Sequence, residues 1–202
     1  MNPRLLVATT SRDKIREIEQ LLSNIPYGIV TLQAWPQIEP PPETGQTFIQ
    51  NARDKARYYA NASGELTVAE DSGLEIDALK GAPGVESARF GGSVASYAQK
   101  FALIYDALRA KGGIESPARF VCAVALVRNG EVLFETEGTI KGCIASEPRG
   151  IHGFGYDPIF YYPPFQRTLA EATADEKAAV SHRGQAFRAL REFLLGSDFH
   201  TL

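Results

Sequence analysis

The spacing of apolar and polar residues predicts alternating strands and helices from the start of the chain. Residues 5–8 form a continuous apolar run of the length of a buried strand. Apolar residues then recur at helical spacing over residues 15–22, so a helix is expected to begin near Ser11, a residue type that caps helices. The same patterns predict a further strand at residues 29–32 and a helix at residues 47–64, capped by Thr47.

The next apolar run, residues 68–76, is interrupted by adjacent carboxylates at Glu70 and Asp71. We expect a strand that stops there, turns at Gly73 and resumes. Adjacent like charges destabilise each other unless a cation lies beside them. The stretch is also compatible with a solvated turn, because Asp, Ser and Gly are common turn residues. The rest of the chain has to decide between the two interpretations.

The second half of the chain predicts a hairpin around Asn129-Gly130, which joins strands at residues 119–127 and 131–136. Both faces of the first of these strands are apolar, so it should be central and covered on both sides. The remaining predicted elements are a type II turn at Pro83-Gly84 and a helix from Ser93 onwards. They are followed by a strand at residues 159–160 and a final helix at residues 174–195. Early alternation of strands and helices with a later hairpin predicts a mixed sheet in an α/β fold.

Composition narrows the classes of function. The 202 residues suit one domain or two small lobes, and the composition is typical of a soluble globular protein. A net charge of −3 gives no global field that would attract nucleic acid or an anionic membrane, so any phosphate must be bound by a local cluster. No early apolar run is long enough for a signal peptide or a membrane span. Two isolated cysteines argue against a disulfide framework and a zinc site and favour a reducing cytoplasm.

Several nucleotide-binding and hydrolytic motifs are absent from the sequence, namely the P-loop, the dinucleotide-binding GxGxxG and the GxSxG elbow. What remains is a set of carboxylates and cations: Glu43, Glu70, Asp71, Lys14, Lys55, Arg89, Lys177 and Arg183. Phosphoryl chemistry uses this mixture, because carboxylates hold magnesium and fixed cations bind phosphate oxygens.

Two loops are candidate contact sites for such a substrate. The predicted helix start at Ser11 would point free N–H groups at an anion. Residues 150–158 are rich in glycine and aromatics, so the backbone can approach a ligand and Phe154 or Tyr156 can stack on a base. The alternative for the second loop is a simple turn before the strand at residues 159–160.

At this point the chain resembles a known family, the non-canonical purine nucleoside triphosphate pyrophosphatases, also called inosine triphosphate pyrophosphatases. The resemblance covers nearly the whole chain. The matching blocks, in order, are Ala8–Lys14, Glu43–Phe48, Asn51-Ala52 with Lys55-Ala56, Glu70–Leu74, Gly81–Gly84 with Ser87–Arg89, Gly153–Pro158, and Glu176-Lys177 with Ser181–Arg183.

The resemblance implies an activity and an architecture. The activity is magnesium-dependent hydrolysis of ITP, dITP or XTP between the α- and β-phosphates, which releases a nucleoside monophosphate and pyrophosphate. The architecture is a single pyrophosphatase domain over residues 1–202, with an elongated mixed sheet, two lobes around a central cleft, and a homodimer. A purine nucleoside triphosphate is the implied partner; nucleic acid and membrane are not expected.

The resemblance also implies roles for individual residues. Asp71 matches the catalytic base, which also contacts the metal, and Glu43 matches its companion ligand. Residues 9–14 match a phosphate loop, and Lys55 and Lys177 match contacts to the triphosphate or the sugar. Residues 154–157 match a base-stacking loop, and residues 182–183 the readers of the base edge. The residues implied to bind substrate are Thr9, Thr10, Ser11, Arg12, Asp13, Lys14, Lys55, Ser72, Phe154, Gly155, Tyr156, Asp157, Lys177, His182 and Arg183.

One position departs from the family pattern, because Ser11 stands where the family usually has Asn. Serine keeps a hydroxyl but loses the reach of the amide and its second hydrogen-bonding group. Two other functions share much of this pattern: a module that senses a nucleotide without hydrolysing it, and a pyrophosphatase for pyrimidine or methylated nucleotides. The intact acidic residues favour an enzyme over a sensor, and Phe154 with Ser181–Arg183 favours a purine substrate.

Overall fold

The computed structural model describes residues 3–196. The strands in this range are β1 (Arg4–Val7), β2 (Gly28–Thr31), β3 (Leu66–Ile76), β4 (Pro117–Arg128), β5 (Glu131–Ile144), β6 (Phe160–Tyr162) and β7 (Arg167–Thr168). The α-helices in the same range are α1 (Arg12–Leu21), α2 (Phe48–Ser63), α3 (Tyr97–Arg109), α4 (Ala174–Val180) and α5 (His182–Leu195). None of the helices described is long and apolar enough to traverse a lipid bilayer.

The strands join in one sheet with the order β2-β1-β3-β4-β5-β6-β7. β1 runs parallel to both β2 and β3, with Leu5 opposite Ile29 on one side and Leu66 on the other. The β5–β6 and β6–β7 pairs are antiparallel. The predicted mixed sheet of an α/β fold is therefore confirmed.

The predicted hairpin is also confirmed. Asn129 and Gly130 link β4 to β5 and both have positive φ, 52° and 80°, as a two-residue type I′ turn requires. β4 lies between β3 and β5 in the sheet, and all its residues from 120 to 127 are buried. The prediction of a central strand, made from the apolar residues on both of its faces, is thus confirmed.

The chain divides into two compact units. Over the described residues, the first unit comprises residues 3–71, 122–138 and 182–196. Side chains of β1, β3, β4, α1 and α5 form its core, which contains Leu5, Val7, Ile18, Leu22, Leu66, Val68, Cys122, Val124, Leu126, Ala186, Phe187, Leu190 and Leu194. Burial of these side chains against one another is the main force that holds the strand ends of this unit in place.

The second unit comprises Ser72–Val121 and Thr139–Ser181. Its core has its own aromatic contacts, since the rings of Phe120 in β4 and Phe160 in β6 lie 4.6 Å apart between centroids. The inward face of α3 completes this core with Phe101, Ile104, Tyr105 and Leu108. Each unit therefore has a separate hydrophobic core.

The predicted turn at Gly73 is wrong, because β3 continues from Leu66 to Ile76 without a break. Asp71 and Leu74 are buried and Ser72 is half-buried, and the backbone N–H of Leu74 donates to the hydroxyl of Ser87 at 2.9 Å. Burial and this hydrogen bond keep the strand extended where the local sequence favours a turn. The Glu70-Asp71 pair therefore lies within a strand.

The predicted type II turn at Pro83-Gly84 is also wrong. The first central residue of that turn has ψ near +120°, whereas Pro83 has ψ −19°. A short 3-10 turn, Gly84–Glu86, follows it. The Ala82–Pro83 peptide bond is cis.

Helix boundaries agree with the sequence in part. Thr47 caps α2, since its hydroxyl accepts from the Gln50 N–H at 3.2 Å, and Gly64 ends that helix. α3 begins after Ser96 instead of Ser93, because the side chains of Ser96 and Gln99 form a capping box. The single predicted helix at residues 174–195 is two helices, broken at Ser181, whose ψ of 156° is extended.

Candidate active site

Asp71 lies in β3 and is joined to a neighbouring loop by one amide side chain. Its Oδ2 accepts a hydrogen bond from Asn51 Nδ2 at 2.9 Å. Asn51, in the first turn of α2, accepts in turn from the Gly45 N–H through its Oδ1 at 2.7 Å. A Cβ at Gly45 would lie 2.5 Å from that Oδ1. Glycine thus lets the loop that carries Glu43 approach α2 closely.

Lys55 connects the same loop to β3. Its ammonium pairs with Glu43 and donates to the backbone carbonyl of Glu70 at 3.3 Å. Asn51 and Lys55 are four residues apart on α2, so their side chains share a face of the helix. One helix face therefore contacts Glu43, Glu70 and Asp71.

The charges of this cluster act on one another. Burial raises the pKa of Asp71; Lys55 and the Asn51 hydrogen bond oppose that shift, and the charge of Glu43 adds to it. Burial lowers the pKa of Lys55, but the charge of Glu43 and its hydrogen bond outweigh burial, so the pKa lies above its usual value. Lys55 is therefore protonated at neutral pH and is the cation that lies beside both carboxylates.

Glu70 lies in a second cluster of charges within the first unit. Its Oε1 is 2.6 Å from the Lys14 ammonium, and its Oε2 accepts from Arg183 Nη2 at 3.4 Å and from the thiol of Cys122 at 3.2 Å. Arg183, with only 2% of its side chain exposed, also donates from Nη1 to Glu17 at 2.7 Å. Two cations and two carboxylates thus form one network, in which Glu70 and Arg183 are buried and Lys14 and Glu17 are half-buried.

The pKa values of this network follow from its contacts. Burial raises the pKa of Glu70, but the charges of Arg183 and then Lys14 outweigh burial and bring it far below its usual range. Burial, followed by the charge of Glu70, raises the pKa of the Cys122 thiol well above its usual value. Glu70 is therefore an ionised acceptor, and Cys122 is a protonated donor.

Ser11 caps α1, as the sequence predicts. Its hydroxyl accepts from the Lys14 N–H at 3.4 Å, and its own N–H donates to the Thr9 hydroxyl at 3.2 Å. The hydroxyl that replaces the family's Asn side chain is therefore used to stabilise the helix start. Asp13, in the first turn of α1, is half-buried, and its Oδ1 lies 3.7 Å from Arg16 Nη1.

A cavity of about 380 Å³ opens beside the loop that precedes α1. Thr9, Thr10 and Arg12 line it together with the aromatic rings of Trp35 and Tyr59. It therefore offers hydroxyl and guanidinium donors next to apolar surface.

In the second unit, Asp157 organises the glycine-rich loop. Its Oδ2 accepts from the Phe154 N–H at 2.8 Å and from the Lys177 ammonium at 2.6 Å. The ammonium lies 4.6 Å from the centre of the Phe154 ring, which is a cation–π distance. Gly153 has φ +69°, and a Cβ there would collide with the Asp157 carboxylate. One buried carboxylate thus fixes both the loop and the lysine.

Tyr156 points into the core of the second unit. Its hydroxyl donates to the Ser87 carbonyl at 2.8 Å, and its ring packs edge-on against Tyr97 at 5.3 Å. Burial raises its pKa. Of the two aromatic residues considered for stacking on a base, Tyr156 is thus engaged in packing.

The last predicted residues lie at strand and helix ends. His182 is buried at the first position of α5, and the backbone of β5 passes close to it at Gly138, where a Cβ would collide with the His182 carbonyl. Ser72 follows Asp71 in β3 and is half-buried.

Contacts join the predicted residues into three sets. They are Glu43 with Lys55 and Asp71, Lys14 and Arg183 through their shared partner Glu70, and Phe154 with Asp157 and Lys177. Three residues that the sequence did not single out complete these sets, namely Glu17, Cys122 and, as the partner of Asp71, Asn51. The spacing of Asn51 and Lys55 on one helix face was a signal for Asn51. Glu17 and Cys122 gave none, since they meet Arg183 and Glu70 across 166 and 52 residues of sequence.

The donors at Asp71 and Glu43 fit a magnesium ion. Both are carboxylates, the ligand type that this hard cation prefers, and Lys55 already balances part of their charge. Over residues 3–196 no group of three or more His, Cys, Asp or Glu side chains is arranged to hold a metal. Magnesium in proteins is usually bound by one or two carboxylates, and water and substrate phosphates provide its remaining ligands.

Comparison with known proteins gives consistent matches. A model of the Ham1 family matches residues 5–193. A dITP/XTP pyrophosphatase of an Exiguobacterium species is 44% identical over 187 residues, which are 93% of this chain and 94% of that protein. The dITP/XTP pyrophosphatase of Coxiella burnetii is 42% identical over 194 residues, with 94% and 96% covered.

Solved structures agree with these matches. A HAM1 protein from Coxiella burnetii superposes with a TM-score of 0.89 at 39% identity, covering 95% of this chain and 98% of that one. A nucleoside-triphosphatase, named dITP/XTP pyrophosphatase, from Mycobacterium abscessus superposes with a TM-score of 0.73 at 43% identity, covering 93% and 98%. These matches confirm the family resemblance in the sequence motifs: the chain belongs to the Ham1 family.

Proposed function

We propose that this protein hydrolyses the non-canonical purine nucleoside triphosphates ITP, dITP and XTP to the monophosphate and pyrophosphate, and so removes them from the nucleotide pool. The observation that carries the proposal is the cluster of Asp71, Asn51, Glu43 and Lys55. It combines a buried carboxylate held by an amide, a second carboxylate and a protonated lysine. The names of relatives 42–44% identical over most of the chain support the choice of substrate.

In the proposed reaction Asp71 is the general base. It accepts a proton from the attacking water, the water oxygen bonds to the α-phosphorus, and pyrophosphate leaves with the bridging oxygen. The Asn51 hydrogen bond fixes the orientation of the carboxylate. A positioned base of this kind contributes ~10²–10⁴-fold to the rate.

Magnesium is the proposed cofactor, held by Asp71 and Glu43. When bound, it neutralises phosphate charge and lowers the pKa of a bound water. Lys55, which pairs with Glu43 in this structure, is then also available to the phosphate oxygens. Lys14 and the donors of residues 9–13 at the start of α1 are the other proposed phosphate contacts.

The base is proposed to contact residues of the glycine-rich loop and of the helices that follow. Phe154 supplies a ring for stacking, and Lys177 lies over that ring with its ammonium held by Asp157. Gly155, His182 and Arg183 are further proposed contacts, although the Arg183 guanidinium binds Glu17 and Glu70 in this structure. We also propose that the chain forms a single pyrophosphatase domain and acts as a homodimer, which sedimentation equilibrium would test.

The test of the activity is release of pyrophosphate from a panel of triphosphates: ITP, dITP, XTP, GTP, ATP and CTP, each with magnesium and with excess chelator. We expect rapid release from the first three with magnesium and loss of release in chelator. Binding of ITP without release of pyrophosphate would instead identify a sensor. Preference for CTP or a methylated nucleotide would identify the pyrimidine-type pyrophosphatase.

A further inference from the structure

Glu70 has no role in the reaction proposed above, although it neighbours Asp71 in β3. Building on the proposed function, we propose that Glu70 is a positioning residue: its carboxylate holds the Lys14 ammonium in the orientation in which Lys14 binds the substrate phosphates. Glu70 would then act on the phosphates through Lys14, not by contacting the substrate itself.

The first support is the geometry of the carboxylate. Only 1% of the Glu70 side chain is exposed, and each oxygen has a partner: Lys14 at 2.6 Å on Oε1, and Cys122 at 3.2 Å with Arg183 at 3.4 Å on Oε2. Contacts to both oxygens prevent the carboxylate from rotating. Lys14 is bound to a fixed acceptor, so it loses rotamer freedom before the substrate arrives.

The second support is the balance of charge. Lys14 and Arg183 are cations, and Glu70 and Glu17 are carboxylates, so the network is neutral as a whole. The Arg183 guanidinium, 3.4 Å from Glu70 Oε2, is the second cation beside this buried carboxylate. The Lys14 side chain is 22% exposed and the Arg183 side chain 2%, so Lys14 is the more accessible of the two cations bound to Glu70.

The contacts also separate this role from that of a metal ligand or base. Both Glu70 oxygens are committed to cations and a thiol, whereas Asp71 and Glu43 carry the donors that fit magnesium. Glu70 contacts Lys55 as well, but through its backbone carbonyl. A change in the Glu70 side chain therefore alters the contacts with Lys14, Arg183 and Cys122 and leaves the one with Lys55.

This difference provides a matched test. Glu70→Gln is made in the parent, in Lys14→Met and in Lys55→Met, and kcat/KM for ITP is measured in all six proteins. We expect Glu70→Gln to lower kcat/KM ~10–100-fold in the parent, the size of a lost charge-assisted hydrogen bond. In the Lys14→Met background the same change should lower kcat/KM by less than about threefold. In the Lys55→Met background it should lower kcat/KM by the same factor as in the parent.

Glu135→Gln is the control for loss of a carboxylate in the same unit, since Glu135 pairs with Arg53 and has no role in the site. It should leave kcat/KM unchanged. The magnesium concentration for half-maximal activity should also be unchanged in Glu70→Gln. Circular dichroism and thermal denaturation establish whether each variant is folded. If Glu70→Gln does not fold, Glu70→Asp replaces it in the same set of proteins. Aspartate keeps the charge, but its shorter side chain does not reach as far.

Two results would overturn the proposal: a Glu70→Gln effect of equal size in Lys14→Met, or a raised magnesium requirement, which would make Glu70 a metal ligand. Failure of the proposed function is distinguishable, because the parent itself would then release no pyrophosphate from ITP. In that case the cycle is repeated on the Kd of a non-hydrolysable α,β-methylene analogue of ITP. Additive effects of Lys14 and Glu70 on that Kd would also overturn the proposal.

Discussion

At the scale of single residues, burial and charge act against each other at Asp71. Burial raises the pKa of its carboxyl group, while Lys55 and the Asn51 amide favour the charged form that a base needs. Holding this group ionised in a buried position costs free energy of folding. Residues that are held in this way are typical of catalytic sites.

Asp71→Asn should therefore separate activity from stability. An amide cannot take up a proton and binds a hard cation poorly, so turnover should fall by ~10²–10⁴-fold or more. The side-chain carbonyl can still accept from Asn51, and no charge is buried, so the Tm at neutral pH should equal or exceed that of the parent. Pyrophosphate release and thermal denaturation measure the two effects. A folded variant that keeps more than about a tenth of the activity would rule out Asp71 as the base.

A second prediction at this scale concerns the close approach at Gly45. A methyl group there would lie 2.5 Å from Asn51 Oδ1, at the hydrogen bond that holds the loop to α2. Gly45→Ala should lower the free energy of unfolding by ~1–3 kcal/mol. Because the loop carries Glu43 and Asn51 holds Asp71, kcat/KM should fall as well.

Gly28 in β2 provides the control, since a Cβ there meets no atom within 4 Å. Gly28→Ala should change the free energy of unfolding by less than about 0.5 kcal/mol and leave kcat/KM unaltered. Urea unfolding and steady-state kinetics compare the two alanine variants. Equal effects of the two would mean that the contact between Gly45 and Asn51 is unimportant.

At the scale of elements, the sequence correctly predicts helix caps and turns whose conformation depends on neighbouring residues. The caps at Ser11 and Thr47 and the Asn129-Gly130 turn all depend on neighbouring residues, and all are confirmed. The interruption predicted at Gly73 depends on residues far away in sequence. Burial and the contact of Leu74 with Ser87, 13 residues further on, override the local preference.

A tyrosine in α3 is expected to affect the free energy of unfolding at alkaline pH. The hydroxyl of Tyr105 donates to the carbonyl of Ala145 at 3.0 Å, and burial raises the pKa of Tyr105 to about 12. An unfolded tyrosine has a pKa of about 10. The folded state thus favours the neutral form, and this contribution to stability is fully present below pH ~10 and lost as the pH rises through about 12.

Tyr105→Phe should lower the free energy of unfolding by ~1 kcal/mol at pH 7, because a hydrogen bond is lost. Between pH ~10 and 12 the variant should lose less stability than the parent, since it has no hydroxyl at this position to ionise. Urea unfolding at intervals over this range measures both slopes. Parallel slopes for the parent and the variant would mean that Tyr105 does not contribute to alkaline unfolding.

At the scale of the whole molecule, the sequence identified many residues of the candidate site but not their connections. The motifs that carry the family resemblance predicted Asp71, Lys55 and Lys177 as site residues. The contacts of Arg183 with Glu17 and of Glu70 with Cys122 join residues 166 and 52 positions apart, and such pairings arise only when the strands and helices pack. Local spacing carries no information about them.

Choice of substrate is a property of the whole molecule. The resemblance implies that residues 182–183 read the base edge, but the Arg183 guanidinium pairs with Glu17 and Glu70 in this structure. Lys177, whose ammonium lies beside the Phe154 ring, is a second cation that can be tested in this role. An ammonium group only donates hydrogen bonds. Facing a purine with a 6-carbonyl it would form a charge-assisted bond, whereas the 6-amino group of adenine would present another donor. A site built around such a bond rejects the wrong base by up to ~10⁴-fold. We therefore expect ITP to be strongly preferred to ATP.

Removing Lys177 alone would leave the Asp157 carboxylate buried without its cation, so both partners are replaced, as Lys177→Met with Asp157→Asn. The asparagine carbonyl can still accept from the Phe154 N–H. The double variant should lower kcat/KM for ITP ~10–100-fold and change the value for ATP much less, because stacking on Phe154 does not distinguish bases. Replacing the half-exposed pair of Arg167 and Glu176 in the same unit, as Arg167→Met with Glu176→Gln, should leave the ITP to ATP ratio unchanged. If the ratio is also unchanged in the first double variant, Lys177 does not read the base, and recognition of the 6-carbonyl must come from another donor.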